Sequence, residues 1–284
     1  MKSLSKRWLK KYNLFVPLVI AVEQVKNTLR SFVYQFIFLP KKGKGYICNY
    51  CGAIYVNFIS LDIPEQAREV LLKNRVVSGA GANNICPKCL STSRERLVKI
   101  AIERFFMGRN KNFLLFGPSQ KEFALLKKIG KVTTIDLQPA YFKLVDPTIV
   151  FGDATQLSFD NETYDFVVAN HILEHIPDDR AAMKEIHRVL KKGGTALLQV
   201  PYSETIETTF EQPDIHNREM QIALFGQGDH VRIYALKDYI LRLQKAGFTV
   251  EIIRDDFLEA YRSFALQENE VIILAHKMTD KSKL

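Results

Sequence analysis

Four cysteines, one aspartate set behind a glycine, and three histidines are the residues of this chain whose types and spacing could do chemistry. Cys48 and Cys51 form one Cys-x-x-Cys pair, Cys86 and Cys89 form a second, and these are all the cysteines of the 284-residue chain. Each pair can bend two thiolates toward one tetrahedral ion, so the two together complete a four-sulfur shell suited to zinc. The 34 residues between the pairs exceed the usual ribbon spacing, but loop-closure entropy grows slowly with length and tolerates the insertion. A closed four-thiolate shell leaves no open position for catalysis. This zinc is therefore expected to be structural, folding a small unit that has little core of its own. The competing readings are a redox dithiol and incidental buried cysteines.

Phe116-Gly117-Pro118-Ser119 follows an apolar run, and Asp136 stands 19 residues beyond Gly117 at the end of the next one. A glycine lets backbone approach a ligand, and an acid about 20 residues on is placed to accept hydrogen bonds from ribose hydroxyls. A lone aspartate ending a strand also serves as a turn or cap residue. Leu137 comes directly after it. Gly152-Asp153-Ala154 follows a third apolar stretch, where Asp153 can meet an adenine amino group or simply close an Asx turn. Asn170 and His171 follow a fourth. His171, His175 and His230 are candidate proton acceptors. His230 lies in Asp229-His230-Val231-Arg232-Ile233-Tyr234, where the acid can orient the ring and Arg232 can hold an anion. The alternative for His175 and His230 is that they bond to backbone and fix loops.

These residues need elements to position them. Helical signals over Arg94–Phe106, Gln120–Ile129, Asp179–Leu190 and Lys237–Ala246 alternate with strand signals. The strands are expected at Asn112–Phe116, Lys131–Asp136, Thr148–Phe151, Tyr164–Ala169, Thr195–Val200, Phe248–Ile253 and Glu270–His276. Strands separated by helices imply an α/β fold with a doubly wound, mostly parallel sheet. In such a sheet ligands sit beyond the carboxyl ends of the central strands, where Gly117, Asp136 and Asn170 fall. Asp178 and Asp179 are set to start the third helix, Met183, Ile186, Val189 and Leu190 to be its buried stripe, and Gly193 or Gly194 to end it.

The stretch Phe159 to Pro201 closely resembles class I S-adenosylmethionine (SAM)-dependent methyltransferases. The likeness rests on Asp165 at a strand start, Asn170-His171, Leu173-Glu174-His175-Ile176, and Leu190-Lys191-Lys192-Gly193-Gly194 before the next strand. Cys86-Pro87-Lys88-Cys89-Leu90-Ser91 with Arg94-Glu95-Arg96-Leu97, and Phe225-Gly226-Gln227-Gly228-Asp229-His230-Val231-Arg232, resemble a bacterial subgroup that couples a cysteine-pair module to this fold. The resemblance covers about residues 46–277. It implies a seven-stranded Rossmann-like sheet with a small N-terminal zinc-ribbon-like module, SAM as cofactor and methyl transfer as the reaction. Phe116, Gly117, Pro118, Asp136, Leu137, Gly152, Asp153, Ala154 and Asn170 would contact the cofactor. His171 and His230 would be catalytic, and Asp229, Arg232 and Tyr234 would bind substrate. Only Gly117 stands where the family has several glycines, and Pro118 follows it as in the subgroup. Methyl transfer is an in-line displacement at an activated sulfonium and of itself requires no metal.

The organisation that follows is a basic amphipathic leader (1–44), a four-cysteine zinc module (45–92), the methyltransferase domain (93–278) and a polar tail (279–284). The formal charge of +9 resides entirely in the leader, whose ten basic side chains face the single acid Glu23; the remaining 240 residues are neutral. A neutral catalytic body does not favour nucleic acid as a partner. Leu18, Val22, Val25, Leu29, Phe32, Val33 and Phe36 make one helical stripe. Pro17, Glu23, Lys26 and Arg30 interrupt it too often for a membrane span. It fits an interfacial helix on an anionic membrane, or a helix packed on the protein itself. Lys41-Lys42-Gly43-Lys44-Gly45 reads as a linker. Four cysteines and no small-residue cleavage site point to a reducing cytoplasm, with peripheral contact at the inner face of the membrane. The expected acceptor is a small molecule, a glycan or a lipid-linked compound. RNA or protein methylation, and a non-catalytic adaptor that retains the fold, are the rivals.

Overall fold

The computed structural model describes residues 15–106, 108 and 110–279. Its central sheet has seven strands: β1 (Lys111–Phe116), β2 (Gly130–Asp136), β3 (Val150–Phe151), β4 (Tyr164–Val168), β5 (Leu190–Leu197), β6 (Thr249–Ile253) and β7 (Ile272–His276). Their spatial order is β6-β7-β5-β4-β1-β2-β3. Strands β1 to β5 are parallel, with β3 at the edge, and β7 is antiparallel to both β5 and β6. This is the expected α/β doubly wound architecture. The order reverses between β1 and β4, which opens a crevice at their carboxyl ends.

Side-chain alternation explains why the sheet is covered on both faces. In β1, Leu114 and Phe116 point into one core while Phe113 and Leu115 point into the other; in β4, Val167 faces the first, and Phe166 and Val168 the second. The helices are α1 (Phe15–Ile37), α2 (Glu65–Lys73), α3 (Ser93–Phe105), α4 (Gln120–Leu126), α5 (Asp179–Val189), α6 (Arg218–Phe225) and α7 (Leu236–Lys245). Helix α5 fills the first core with Ala182, Met183, Ile186 and Val189, all fully buried, and each large apolar side chain so placed contributes about 1.5–3 kcal/mol. Asp178 starts it by accepting the Ala181 N–H at 2.9 Å. A Thr92–Glu95 capping box starts α3, whose apolar face fills the second core.

Two local expectations are corrected. Lys42–Ile47 is not a linker but a strand paired with Ile54–Tyr55. Gly45, at φ +99°, lies so close to Tyr55 that an added Cβ would come within 2.6 Å of its carbonyl oxygen. A glycine that reads as linker composition is there for that close approach. Nor do Gly193 and Gly194 end α5. The helix stops at Val189, β5 begins at Leu190, and the glycines lie inside the strand, where Gly193 takes φ +76° and donates to the Lys277 carbonyl.

Helix α1 lies with Ser31 Oγ donating to the Lys88 carbonyl and packs against the turn at Pro139–Tyr141. The stripe stays uncovered: Val25, Leu29, Phe32 and Phe36 are 59%, 60%, 74% and 76% exposed. Among the described residues no helix is long and apolar enough to cross a membrane. Lys2, Lys6, Arg7, Lys10 and Lys11 of the leader, and the tail beyond Thr279, lie outside the described residues.

Candidate functional site

The four cysteines meet. Their sulfurs all lie within 4.8 Å of one another, with Cys48 Sγ 3.5 Å from Cys89 Sγ and Cys51 Sγ 3.8 Å from Cys86 Sγ. A tetrahedral zinc about 2.3 Å from each sulfur sets neighbouring sulfurs about 3.8 Å apart, so the donors fit such an ion. The two knuckles share one backbone design. Gly52 N–H bonds to the Cys48 carbonyl and Leu90 N–H to the Cys86 carbonyl, each at the fourth residue after the first cysteine. Both Gly52 (φ +67°) and Leu90 (φ +56°) are left-handed.

Arg96 ties this module to the sheet domain. Its guanidinium is fully buried over the Phe58 ring and donates to five carbonyls: Ser91, Asn83 and Asn84 of the module, and Phe264 and Ala265 far along the chain. The long insertion between the cysteine pairs also has work to do. Helix α2 packs on α6, with Leu71 against Gly226, and the Asn74 carbonyl accepts from Ser203 Oγ and Thr205 Oγ1. The insertion thus braces the segment that follows β5.

At the carboxyl end of β1, Gly117 is left-handed at φ +49° and donates to the Ile135 carbonyl. A Cβ there would stand 3.0 Å from Ile172 Cδ1 and 3.6 Å from Asp136 Oδ2, so the glycine keeps open a cradle walled by both. Phe116 and Pro118 beside it are buried. Asp136 is half-buried, which raises its carboxyl pKa. Its Oδ1 accepts the Gln138 N–H at 2.6 Å, leaving Oδ2 toward Gly117. Leu137 is 56% exposed on the rim. Asp153 closes an Asx turn, its Oδ1 taking both the N–H and the hydroxyl of Thr155 at 2.8 and 2.7 Å, with Gly152 against Ile135 and Ala154 buried. Asn170, beyond β4, donates to Glu122 of α4 at 2.9 Å, while its own Oδ1 is buried without a partner among the described residues. Glu122 had no signal in the sequence beyond being an acid on the apolar face of α4. Burial raises its pKa.

Next to this cradle is a cluster of polar side chains. His171 takes φ +54° and holds Nδ1 3.3 Å from Glu174 Oε1. Burial pushes His171 and His230 each down to about 4, so both are neutral at pH 7. Burial also works to raise the Glu174 carboxyl, but the surrounding imidazoles outweigh it and hold it at about 2. His175 Nδ1 is 3.1 Å from the Asp229 carbonyl and 3.5 Å from its carboxylate. His171, His175, His230 and Asp229 are therefore brought together, around a glutamate that sequence reasoning did not single out. Its place between His171 and His175 was the available signal.

Arg232 and Tyr234 do not join this cluster. Arg232 is 1% exposed and caps the carbonyls of Leu173, Ile176 and Pro177 while bonding Glu211. Tyr234 is fully buried and donates to Asp179 at 2.7 Å. They hold the loop after β4 from behind, which corrects the expectation that they touch substrate.

Residues 116–198, which run from the end of β1 to the end of β5, match the profile of the methyltransferase domain family. This segment resembles the methyltransferase domain family, and it carries the strands that frame the switch-point crevice. A demethylmenaquinone methyltransferase of Staphylococcus epidermidis is 39% identical over 67 residues, and one of Staphylococcus aureus 44% identical over 67 residues. The match takes in 24% of this chain and only a quarter of either relative's own length. Among solved structures, a SAM-dependent methyltransferase from Methanosarcina mazei is 17% identical, with a TM-score of 0.43, covering 63% of this chain and 98% of that one. The phosphoethanolamine N-methyltransferase 2 of Haemonchus contortus, solved with phosphomonomethylethanolamine and S-adenosylhomocysteine, is 15% identical, with a TM-score of 0.44 over 64% and 53%.

Proposed function

We propose that the chain transfers a methyl group from SAM to a small, glycan-type or lipid-linked acceptor presented at a membrane surface, and that its four cysteines hold a structural zinc. The observation that carries the reading is the cradle at the switch point, where left-handed Gly117, the free Oδ2 of Asp136 and the unpartnered Oδ1 of Asn170 stand at the carboxyl ends of adjacent strands. The bound cofactor supplies a methyl group on a sulfonium sulfur. Asp136 would hold the ribose hydroxyls, Leu137 and the Gly152–Ala154 turn would flank the adenine, and Asn170 would accept from the cofactor's ammonium. His171 sits in the neighbouring polar cluster, where it would take the acceptor's proton.

The uncovered stripe of α1 supports a membrane-side acceptor. Its four large apolar side chains repeat at helical spacing, with Lys41, Lys42 and Lys44 just beyond them, as on helices that lie in an anionic interface. The named acceptor of the Staphylococcus relatives is in keeping with that choice.

Calorimetric titration with SAM tests the cofactor reading: saturable micromolar binding that Asp136→Ala weakens supports it, and no binding at millimolar SAM overturns it. Sedimentation with vesicles containing anionic lipid tests the surface. A Phe32→Ser, Phe36→Ser double variant should lose most vesicle binding while melting at the same temperature.

A further inference from the structure

We infer that Glu174, His175 and His230 form a second metal site, built for a zinc-type divalent ion. One carboxylate oxygen and one nitrogen of each ring lie within 4.8 Å of one another. Two histidines and a glutamate are a donor set that zinc takes with ligand distances of about 2.0–2.2 Å and one position left open.

Two observations separate this cluster from a chance gathering of polar groups. The first is Glu174 itself, 1% exposed, with no aligned hydrogen bond to either carboxylate oxygen among the described residues, the near group being His171 Nδ1 at 3.3 Å from Oε1. A buried carboxylate without donors is costly unless a cation faces it. The nearby guanidinium of Arg94 acts on both Glu174 and the buried Glu270, and it makes no hydrogen bond to Glu174 among the described residues.

The second is the tautomer of His175. A carbonyl oxygen only accepts, so the 3.1 Å contact to the Asp229 carbonyl puts the ring proton on Nδ1. The lone pair is then on Nε2, the atom 4.0 Å from Glu174 Oε1. Metal-binding histidines are oriented in this way, the far nitrogen donating to a carbonyl or carboxylate. His230 completes the set from a different element. Its ring stands edge-on to that of His175 with centroids 4.7 Å apart. Gln221 Nε2 donates to the His230 carbonyl and Val231 N–H to the Glu174 carbonyl, each at 3.0 Å, so the two donor segments are pinned together. His175 keeps 30% of its side chain exposed, which leaves a way in for the ion and for a fourth ligand. On the methyl-transfer reading, from which this last statement follows, the open position takes an oxygen of the acceptor, held beside His171.

The test is metal content of the full-length protein, loaded with zinc and then passed over a chelating resin. The wild type should keep two ions per chain, while Glu174→Gln and His175→Gln should each keep one and Cys89→Ser should lose the other. Substitution with cobalt separates the sites by colour: intense thiolate charge-transfer bands from the cysteines should persist in Glu174→Gln, and the weak bands of a nitrogen and oxygen site should vanish. One ion per chain in the saturated wild type overturns the inference, as do two ions that survive both substitutions. His175→Gln, at a partly exposed position, decides the matter if Glu174→Gln does not fold. SAM titrations run in parallel keep the two readings apart, because a protein with two ions and no SAM binding fails only as a methyltransferase.

Discussion

The Asp136 carboxylate offers a test with a magnitude that its hydrogen bonds set in advance. One oxygen is committed to the Gln138 N–H at 2.6 Å, and the other faces the Gly117 cradle without a partner. A ribose hydroxyl donating to that free oxygen would form a hydrogen bond to a charged group, worth about 1.5–3 kcal/mol, or about 10- to 150-fold in affinity. Asp136→Ala removes this bond together with the turn closed by Oδ1. Asp136→Asn keeps an oxygen for Gln138 but turns an NH2 toward the ribose, so the hydroxyl must accept instead of donate, in a neutral bond of roughly half the strength. The expected order of SAM affinity by calorimetry is wild type, then Asn weaker by roughly 3- to 12-fold, then Ala weaker by at least about 10-fold. The Asn variant should melt with the wild type. An Asn variant with wild-type affinity, or an Ala variant within a factor of about three, would confine Asp136 to its turn and remove the reasoning for the cradle.

Three further outcomes are expected. Arg96→Met should cost about 3–5 kcal/mol by stranding five buried carbonyls, a fall of about 6–20 °C in a calorimetric melt; an unchanged melt would show that the module docks without it. Glu122 has a pKa raised by burial, so the folded state binds its proton more tightly than the unfolded state, and stability falls as pH rises from below the unfolded carboxylate value through the folded one. Glu122→Gln, which can still accept from Asn170, should therefore raise the melting temperature at pH 7 and have little effect near pH 4; an equal gain at both pH values would refute the assignment. Stripping zinc with a strong chelator should open residues 42–61 and 81–92 to hydrogen exchange and leave β1, β4 and β5 protected; simultaneous loss of both would mean that the sheet depends on the metal.

The legible parts of the molecule were those whose signal is local. Cysteine spacing announces the four-sulfur cluster, the period of Val25, Leu29, Phe32 and Phe36 announces α1, and alternating strands and helices announce the sheet. What composition hid was tertiary. Gly45 looks like a linker glycine because nothing in Lys41–Gly45 shows that Tyr55 will lie against it. Gly193 and Gly194 look like a helix stop, yet the bond from Gly193 to Lys277 places them in a strand, and that partner is 84 residues away. Polar residues were the hardest to rank. Arg232 and Tyr234 sit in a motif that looks substrate-facing, and only the carbonyls of Leu173, Ile176 and Pro177 show that the arginine faces inward. Glu174 lay unnoticed between two histidines because burial, not identity, makes it unusual.

The reach of Arg96 also sets a schedule for synthesis. The knuckles and their serine are complete at residue 91, and their thiolates can gather a metal as soon as they leave the ribosome. The carbonyls that lock the module down, at Phe264 and Ala265, come 168 and 169 residues after Arg96. At about 5–20 residues per second, the nascent four-cysteine unit waits roughly 10 to 35 s for its anchor. Strand β7, which must slip between β5 and β6, arrives only after that, so until then the chain carries its cysteine knuckles beside an open sheet whose exposed edge is a target for chaperones.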